Sequence, residues 1–259
     1  TNTMGFVAQN GNKWDDFSGK VTLSYALNDN SSIYALYSEG FKAGGFQNDS
    51  RNLGQFSLLI NPENVTNYEI GWKGSYDRAI FAVTAFSMEQ RNTQVGNNVP
   101  SGSGNINLVI NSGGIDNTGL EFEGTFAITD NITAGGSLAF YDAEFIEGSF
   151  QGGVFNPITN TSTGESIAGF QPNNSPDTTG ALWISHDWDL ASGANIRLRG
   201  DWMHRASTFS RNGEANRDGL TIDGSAPQYL RPELNKFGLD LSWTSADENL
   251  KLSIWGRNL

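Results

Sequence analysis

Hydrophobic and polar residues alternate in register between residues 62 and 92. Thr66, Tyr68, Ile70 and Trp72 fall on one face of an extended chain; Asn67, Glu69, Gly71 and Lys73 fall on the other. A period of two with the polar set held to one side predicts a pleated strand. Ser75, Tyr76, Asp77 and Arg78 read as a turn, and residues 79–91, rich in Phe, Val, Ala and Thr, as the return strand. Both arms exceed the usual strand of a soluble sheet. They reach the roughly 9–11 tilted residues that a membrane crossing needs.

The same pattern recurs along the chain. Residues 1–16 have no period and read as the tail of a loop or the end of an earlier strand. Phe17, Gly19, Val21, Leu23, Tyr25 and Leu27 alternate with Ser18, Lys20, Thr22, Ser24 and Ala26, and Asn28, Asp29, Asn30 and Ser31 form a turn before a return strand over 33–42. Further pairs are predicted at 107–128 with 132–145, at 177–190 with 194–205, and at 229–245 with 250–257. Polar stretches at 43–61, 92–106, 146–176 and 206–228 read as loops. The prediction is ten strands in five hairpins, with tight turns alternating with long loops. Soluble domains rarely keep so many long loops, whereas membrane barrels do, with short turns at one end and long loops at the other. Polar faces bearing Glu, Lys, Arg and Asp must meet water, and faces bearing isolated Leu, Ile, Trp and Tyr can meet oil. The expected fold is all-β: an antiparallel up-and-down transmembrane β-barrel, incomplete, since plugged outer-membrane barrels close with roughly 22 strands. An open sheet of this kind exposes two unpaired edges and is not expected to fold stably alone in water.

Composition narrows the class. Charged residues are 17% and hydrophobic residues 37%, which fits neither a disordered chain nor a helical membrane protein. No run of ~18 apolar residues occurs, so no transmembrane helix is expected. Aromatics are 12%, with 7 Trp, as interfacial girdles or a large aromatic core would require. The absence of cysteine excludes a disulfide or cysteine–zinc scaffold. A net charge of −12 disfavours nucleic acid as a partner; it suits a cation-handling lumen or exterior loops, or serves solubility. No signal peptide opens the chain, so Thr1 is expected to be an internal point of a longer precursor or the start of a fragment.

Four motifs carry a family resemblance. Pro62-Glu63-Asn64-Val65-Thr66-Asn67-Tyr68-Glu69-Ile70-Gly71-Trp72-Lys73 resembles the "PE-t-x-x-YE-x-G-x-K" strand of TonB-dependent outer-membrane receptors. The run from Tyr34 to Phe46, with Gly40-Phe41 and Gly44-Gly45-Phe46, resembles their "Y-x-x-GF-x-x-GG-[FY]" strand end. Gly119-Leu120-Glu121-Phe122-Glu123 is similar to their "GxExE" strand, and Gly256-Arg257-Asn258-Leu259 to their "GxNL" strand near the C-terminus. All four stand in the family's order and span essentially the whole chain. The resemblance implies that residues 1–259 are the C-terminal part of a receptor barrel, with the plug domain and the final strand absent. It implies a Gram-negative outer-membrane location, with outer-membrane lipid around the barrel. It further implies active uptake of a scarce nutrient, most often a ferric siderophore, coupled through the plug to an inner-membrane TonB complex. No enzymatic activity and no cofactor are expected. Uptake of an oligosaccharide or vitamin B12, or a passive porin-like or adhesin barrel, stays open.

Candidate chemistry is sparse. His186 and His204 fall on apolar faces and read as structural. Haem receptors of the family carry a "FRAP…NPNL" loop, but here the matching region is Phe41-Lys42-Ala43-Gly44 and Asn61-Pro62-Glu63-Asn64, which disfavours haem. Glu121 and Glu123 share a face and read as a wet lumen wall. No nucleophile-elbow sequence accompanies the serines. Gly44-Gly45 and Gly113-Gly114 lack a phosphate-loop context and read as bends or close approaches at the barrel rim. Binding loops anchor ligands with aromatic and Arg side chains, so Phe46, Arg51, Phe56, Phe150, Phe155, Phe170 and Arg211 are the candidate ligand contacts.

Overall fold

The computed structural model describes residues 11–48, 56–101, 104–151, 155–156, 161–162, 164–212 and 229–259. Ten strands form one sheet: β1 (Lys20–Asn28), β2 (Ser31–Lys42), β3 (Glu63–Tyr76), β4 (Ala79–Ser101), β5 (Gly104–Ala127), β6 (Ile132–Phe145), β7 (Thr178–Asp189), β8 (Asn195–Arg205), β9 (Leu234–Thr244) and β10 (Lys251–Arg257). Each strand pairs antiparallel with its neighbours in chain order, from β1 to β10. The ten strands and five hairpins expected from the alternation are present, and the sheet is an open arc of an up-and-down barrel.

The β3–β4 hairpin turns more tightly than its sequence implies. Tyr76 pairs with Ala79, so Ser75 and Tyr76 belong to the strand and only Asp77 and Arg78 turn. The expected loop at 92–106 is a correction of substance. β4 and β5 run 23 and 24 residues and stay paired up to Ser101 opposite Gly104. The ladder skips one pair, Asn92 opposite Gly113, where both residues have positive φ (55° and 35°), without a change of register. The remaining loops contain short two-residue ladders, such as Gly45–Phe46 with Leu59–Ile60 and Thr208–Phe209 with Leu230–Arg231.

Pairing fixes which side chains share a face, because directly opposed residues point the same way. Val21, Tyr37, Tyr68 and Ser87 form one row; Leu23, Ala35, Ile70, Ala85, Leu120, Phe140 another; Ile33, Trp72, Val83, Phe122, Leu138 a third. The face continues through Leu182, Trp202 and Phe237, and through Leu198, Leu241 and Ile254. No second layer covers it among the described residues: Leu23 is 73% exposed, Ile70 62% and Ile254 72%. Burying a side chain of this size is worth about 1.5–3 kcal/mol. Ten left in water would forgo about 15–30 kcal/mol, more than the roughly 5–15 kcal/mol that holds a domain together. Oil is therefore the only solvent this outward face tolerates.

Conventional cores are small and lie beyond the oil-facing band, at the loop end. Ile106 and Leu108 pack with Leu58, and Phe145, Ile167 and Phe170 pack with Ile115. Close backbone approach occurs at the glycine pairs noted in the sequence. A Cβ on Gly44 would lie 2.2 Å from the Ile60 carbonyl oxygen, and one on Gly114 would lie 2.1 Å from that of Gln90.

Candidate functional site

The inward face is wet and ionic, and its two halves differ. On β2–β6 the carboxylates are held mainly by neutral donors. Asn67 Nδ2 donates to Glu69 Oε1 at 2.7 Å, and the Tyr34 hydroxyl reaches Glu69 Oε2 at 3.4 Å and Thr84 Oγ1 at 3.0 Å. The Lys73 ammonium lies 5.0 Å from the centre of the Tyr34 ring. Tyr141 donates to Glu121 Oε1 at 3.0 Å. Glu121 and Glu123 line a cavity of about 260 Å³ with Thr84, Ser137, Tyr141 and Thr179. Nearer the loops, Gln90 Nε2 donates to Glu63 Oε1 at 2.8 Å and the Gln94 backbone N–H donates to Glu63 Oε2 at 2.7 Å.

On β7–β10 arginines dominate. Arg197 Nε bonds Asp187 Oδ1 at 2.8 Å. Arg199 grips Asp201 Oδ1 through Nε at 2.9 Å and Nη2 at 2.8 Å, and its guanidinium lies 4.4 Å from the Trp183 ring centre. Arg257 stands in the row of Asp201 and Gly238, and Lys236 and Arg205 stand above it toward the loops; these three share the inward face with no carboxylate partner among the described residues.

The rim is built by pinning loops onto the extended β4–β5 hairpin. The Gln47 side chain is buried and mimics a strand: its Nε2 donates to Val109 O at 2.7 Å and its Oε1 accepts from Val109 N–H at 2.9 Å. Asn111 does the same for Asn61, accepting from its N–H at 2.7 Å and donating to its carbonyl at 2.9 Å. Gln94 Nε2 donates to the carbonyls of Ala43 and Asn61 at 3.0 Å each. On the other flank, Ser149 Oγ accepts from Gly114 N–H at 3.2 Å and donates to Gly114 O at 3.1 Å.

The seven candidate contacts separate. Phe46 and Phe56 stack at 6.5 Å, and Trp14, which no sequence signal singled out, meets Phe46 edge-on at 5.7 Å. The Phe170 ring is packed against Phe145 and Ile167, so it supports the rim from within. Phe150 is half-buried and its backbone N–H donates to Ser112 Oγ at 2.8 Å. Arg211 is exposed, with its guanidinium 4.7 Å from the Tyr229 ring centre. Arg51 and the Phe155 side chain lie outside the described residues. His186 stacks on Trp188 at 4.0 Å, and His204 stacks on Trp202 at 5.5 Å and meets Asn235 Oδ1 at 3.0 Å. They sit on the outward face on different strands, and no group of His, Asp or Glu among the described residues is arranged to hold a metal.

A sequence model described as "TonB dependent receptor-like, beta-barrel" matches residues 1–259. The chain belongs to the TonB-dependent receptor β-barrel family. Among solved structures, the TonB-dependent barrel resembles the ferric yersiniabactin uptake receptor of Yersinia pestis, with a TM-score of 0.67 and 16% identity over 93% of this chain and 32% of that one. It also resembles the ferric preacinetobactin receptor of Acinetobacter baumannii, with a TM-score of 0.64 and 14% identity over 93% of this chain and 31% of that one. The copper transporter OprC gives a TM-score of 0.62 at 16% identity, over 93% of this chain and 33% of that one. At these identities the likeness speaks for the fold. The chain spans about a third of the length of these structures. No curated protein sequence matches it.

Proposed function

We propose that this barrel wall belongs to an outer-membrane receptor for TonB-dependent uptake of a scarce nutrient, a ferric siderophore in the first instance. The observation that carries the reading is the two-faced sheet. One face is fit only for oil, the other lines water with fixed ionic groups, and loops rigidly pinned at one end form a mouth. The family membership and the iron-chelate receptors among the structural neighbours support it. The chain's own work is to bind and guide without covalent chemistry. The inward carboxylates Glu69, Glu121 and Glu123 present a negative patch that a plug domain, outside this chain, would meet with basic side chains. An energised inner-membrane TonB complex would act on that plug. Uptake of radioactive ferric siderophore by cells carrying the full-length gene, with and without TonB, tests the proposal. Uptake should vanish without TonB; uptake that persists points to a passive channel and rejects it.

A further inference from the structure

The chain has 16 Lys and Arg against 28 Asp and Glu, yet one corner of the inward wall is positive. Arg205 is opposite Leu234, Met203 is opposite Lys236, and Gly238 is opposite Arg257. Arg205, Lys236 and Arg257 therefore share a face and descend on a diagonal, each one strand over and two residues down from the last. Diagonal neighbours of this kind stand about 7–8 Å apart. Among the described residues no carboxylate pairs with any of them. Arg205 Nη2 donates to Pro232 O at 3.1 Å, and Arg257 Nη1 to Gly256 O at 3.3 Å. The Arg257 side chain lies over Gly238: a Cβ there would stand 3.1 Å from Arg257 Nη1. Two further cations lie in the loop that joins β8 to β9. Arg231 Nη1 donates to Asn174 Oδ1 at 2.7 Å, and Arg211 lies on the Tyr229 ring. The nearby Glu233 is taken up by Asn235 and stands 4.0 Å from His204 Nδ1.

Like charges at such spacing repel, and the arrangement is costly unless something negative fills it. The neighbouring arginines on β8 are neutralised, Arg199 by Asp201 and Arg197 by Asp187. The diagonal, by contrast, carries three cations side by side without such neutralisation, and its field extends into the water along the wall.

We infer that Arg205, Lys236 and Arg257, together with Arg231 and Arg211 of that loop, form a binding strip for a ligand of net negative charge, such as a metal chelate with carboxylate or phenolate oxygens on its surface. Guanidinium groups suit such oxygens because they donate two parallel hydrogen bonds. The assignment rests on the receptor reading above and narrows its substrate class: a neutral chelate gains nothing from the strip.

The test uses the full-length receptor in detergent, with pyrene tetrasulfonate as the anionic probe and a neutral pyrene alcohol as its control. The receptor should bind the tetrasulfonate and not the alcohol. The double substitution Lys236→Glu with Arg257→Glu should weaken binding about tenfold or more. Lys251→Glu, on the same face at the turn end, should leave it unchanged. If charge reversal prevents folding, the double Gln variant replaces it. No binding of the tetrasulfonate, insensitivity to the double substitution, or an equal loss in Lys251→Glu overturns the strip. Loss of the receptor reading shows separately, as uptake that ignores TonB while probe binding stands.

Discussion

The turn end and the loop end of the same strands obey different rules. Toward the turns, one face is continuously apolar and the other wet, and the hairpins close in a few residues. Toward the loops the outward face changes character. Glu39, Thr66, Glu89, Asp116 and Glu144 form one cross-strand row there, in register above Tyr37 and Tyr68. Arg91 bonds both Glu89 and Asp116. A row of carboxylates has no place in hydrocarbon, so the strands have left the oil by this height. Stability then passes from lipid contact to side-chain amides that pin loops and to the small Phe145–Ile167–Phe170 core. The difference teaches that this wall is one ladder crossing two solvents.

The sharpest way to locate the boundary is to move one charge along one face. Leu120 and Thr118 point outward two residues apart on β5. Leu120→Arg should destabilise the full-length barrel by about 2–4 kcal/mol in denaturant unfolding from liposomes, and Thr118→Arg by about 0–1 kcal/mol. Equal costs would erase the boundary. Backbone strain gives the next largest effect. Gly136 has φ 150°, and a Cβ there would stand 2.0 Å from the Ala181 carbonyl oxygen. Gly136→Ala should cost about 1–3 kcal/mol, whereas Gly200→Ala, with open space around it, should stay within about 0.5 kcal/mol.

At the loop end the amide pins are the thing to break. Gln47→Leu leaves the Val109 N–H and C=O without their partner, at a cost of about 1–2 kcal/mol. Amide exchange should accelerate around Val109 and across 43–48, and remain unchanged at the turns. The smallest effect belongs to the β9–β10 turn. Hydrogen bonds from the Ser245 hydroxyl and from the side chain and backbone of Asn249 lower the Asp247 pKa from 3.8 to about 2. A lowered pKa favours the folded turn above the unfolded value, and the benefit fades as pH falls toward about 2. The stability difference between wild type and Asp247→Asn should shrink over that window and stay flat above it.

The two ends also differ in how far the residues alone reveal them. Near the turns, oil on one side forces the alternation seen at Tyr68, Ile70 and Trp72, so strand identity and register are legible. At 92–106 the paired strands run on past the oil-facing band, Pro100, Gly102 and Gly104 look like punctuation in the sequence, and no alternation marks the strands. Ile106, Leu108 and Ile110 do alternate with Asn107, Val109 and Asn111. Ile106 and Leu108 are buried against Leu58, about fifty residues away in sequence, which local pattern cannot show. The candidate contacts fared according to the same logic. Residue type could nominate Phe46 and Phe170 alike, but only packing separates a stacked rim pair from a core ring. The Arg205–Lys236–Arg257 diagonal depends on register across three strands and has no sequence signal of its own.

The assignment of solvents to the two faces is open to direct measurement, and no cysteine within residues 1–259 competes for a label. Single cysteines replacing Ile70 and Glu69 in the full-length receptor, each carrying a nitroxide spin label in liposomes, report their surroundings by paramagnetic relaxation. At Ile70, lipid-soluble oxygen should relax the label more strongly than a water-soluble nickel chelate, and at Glu69 the order should reverse. The same order at both positions, or the opposite assignment, would contradict a wall with oil on its Ile70 side and water on its Glu69 side.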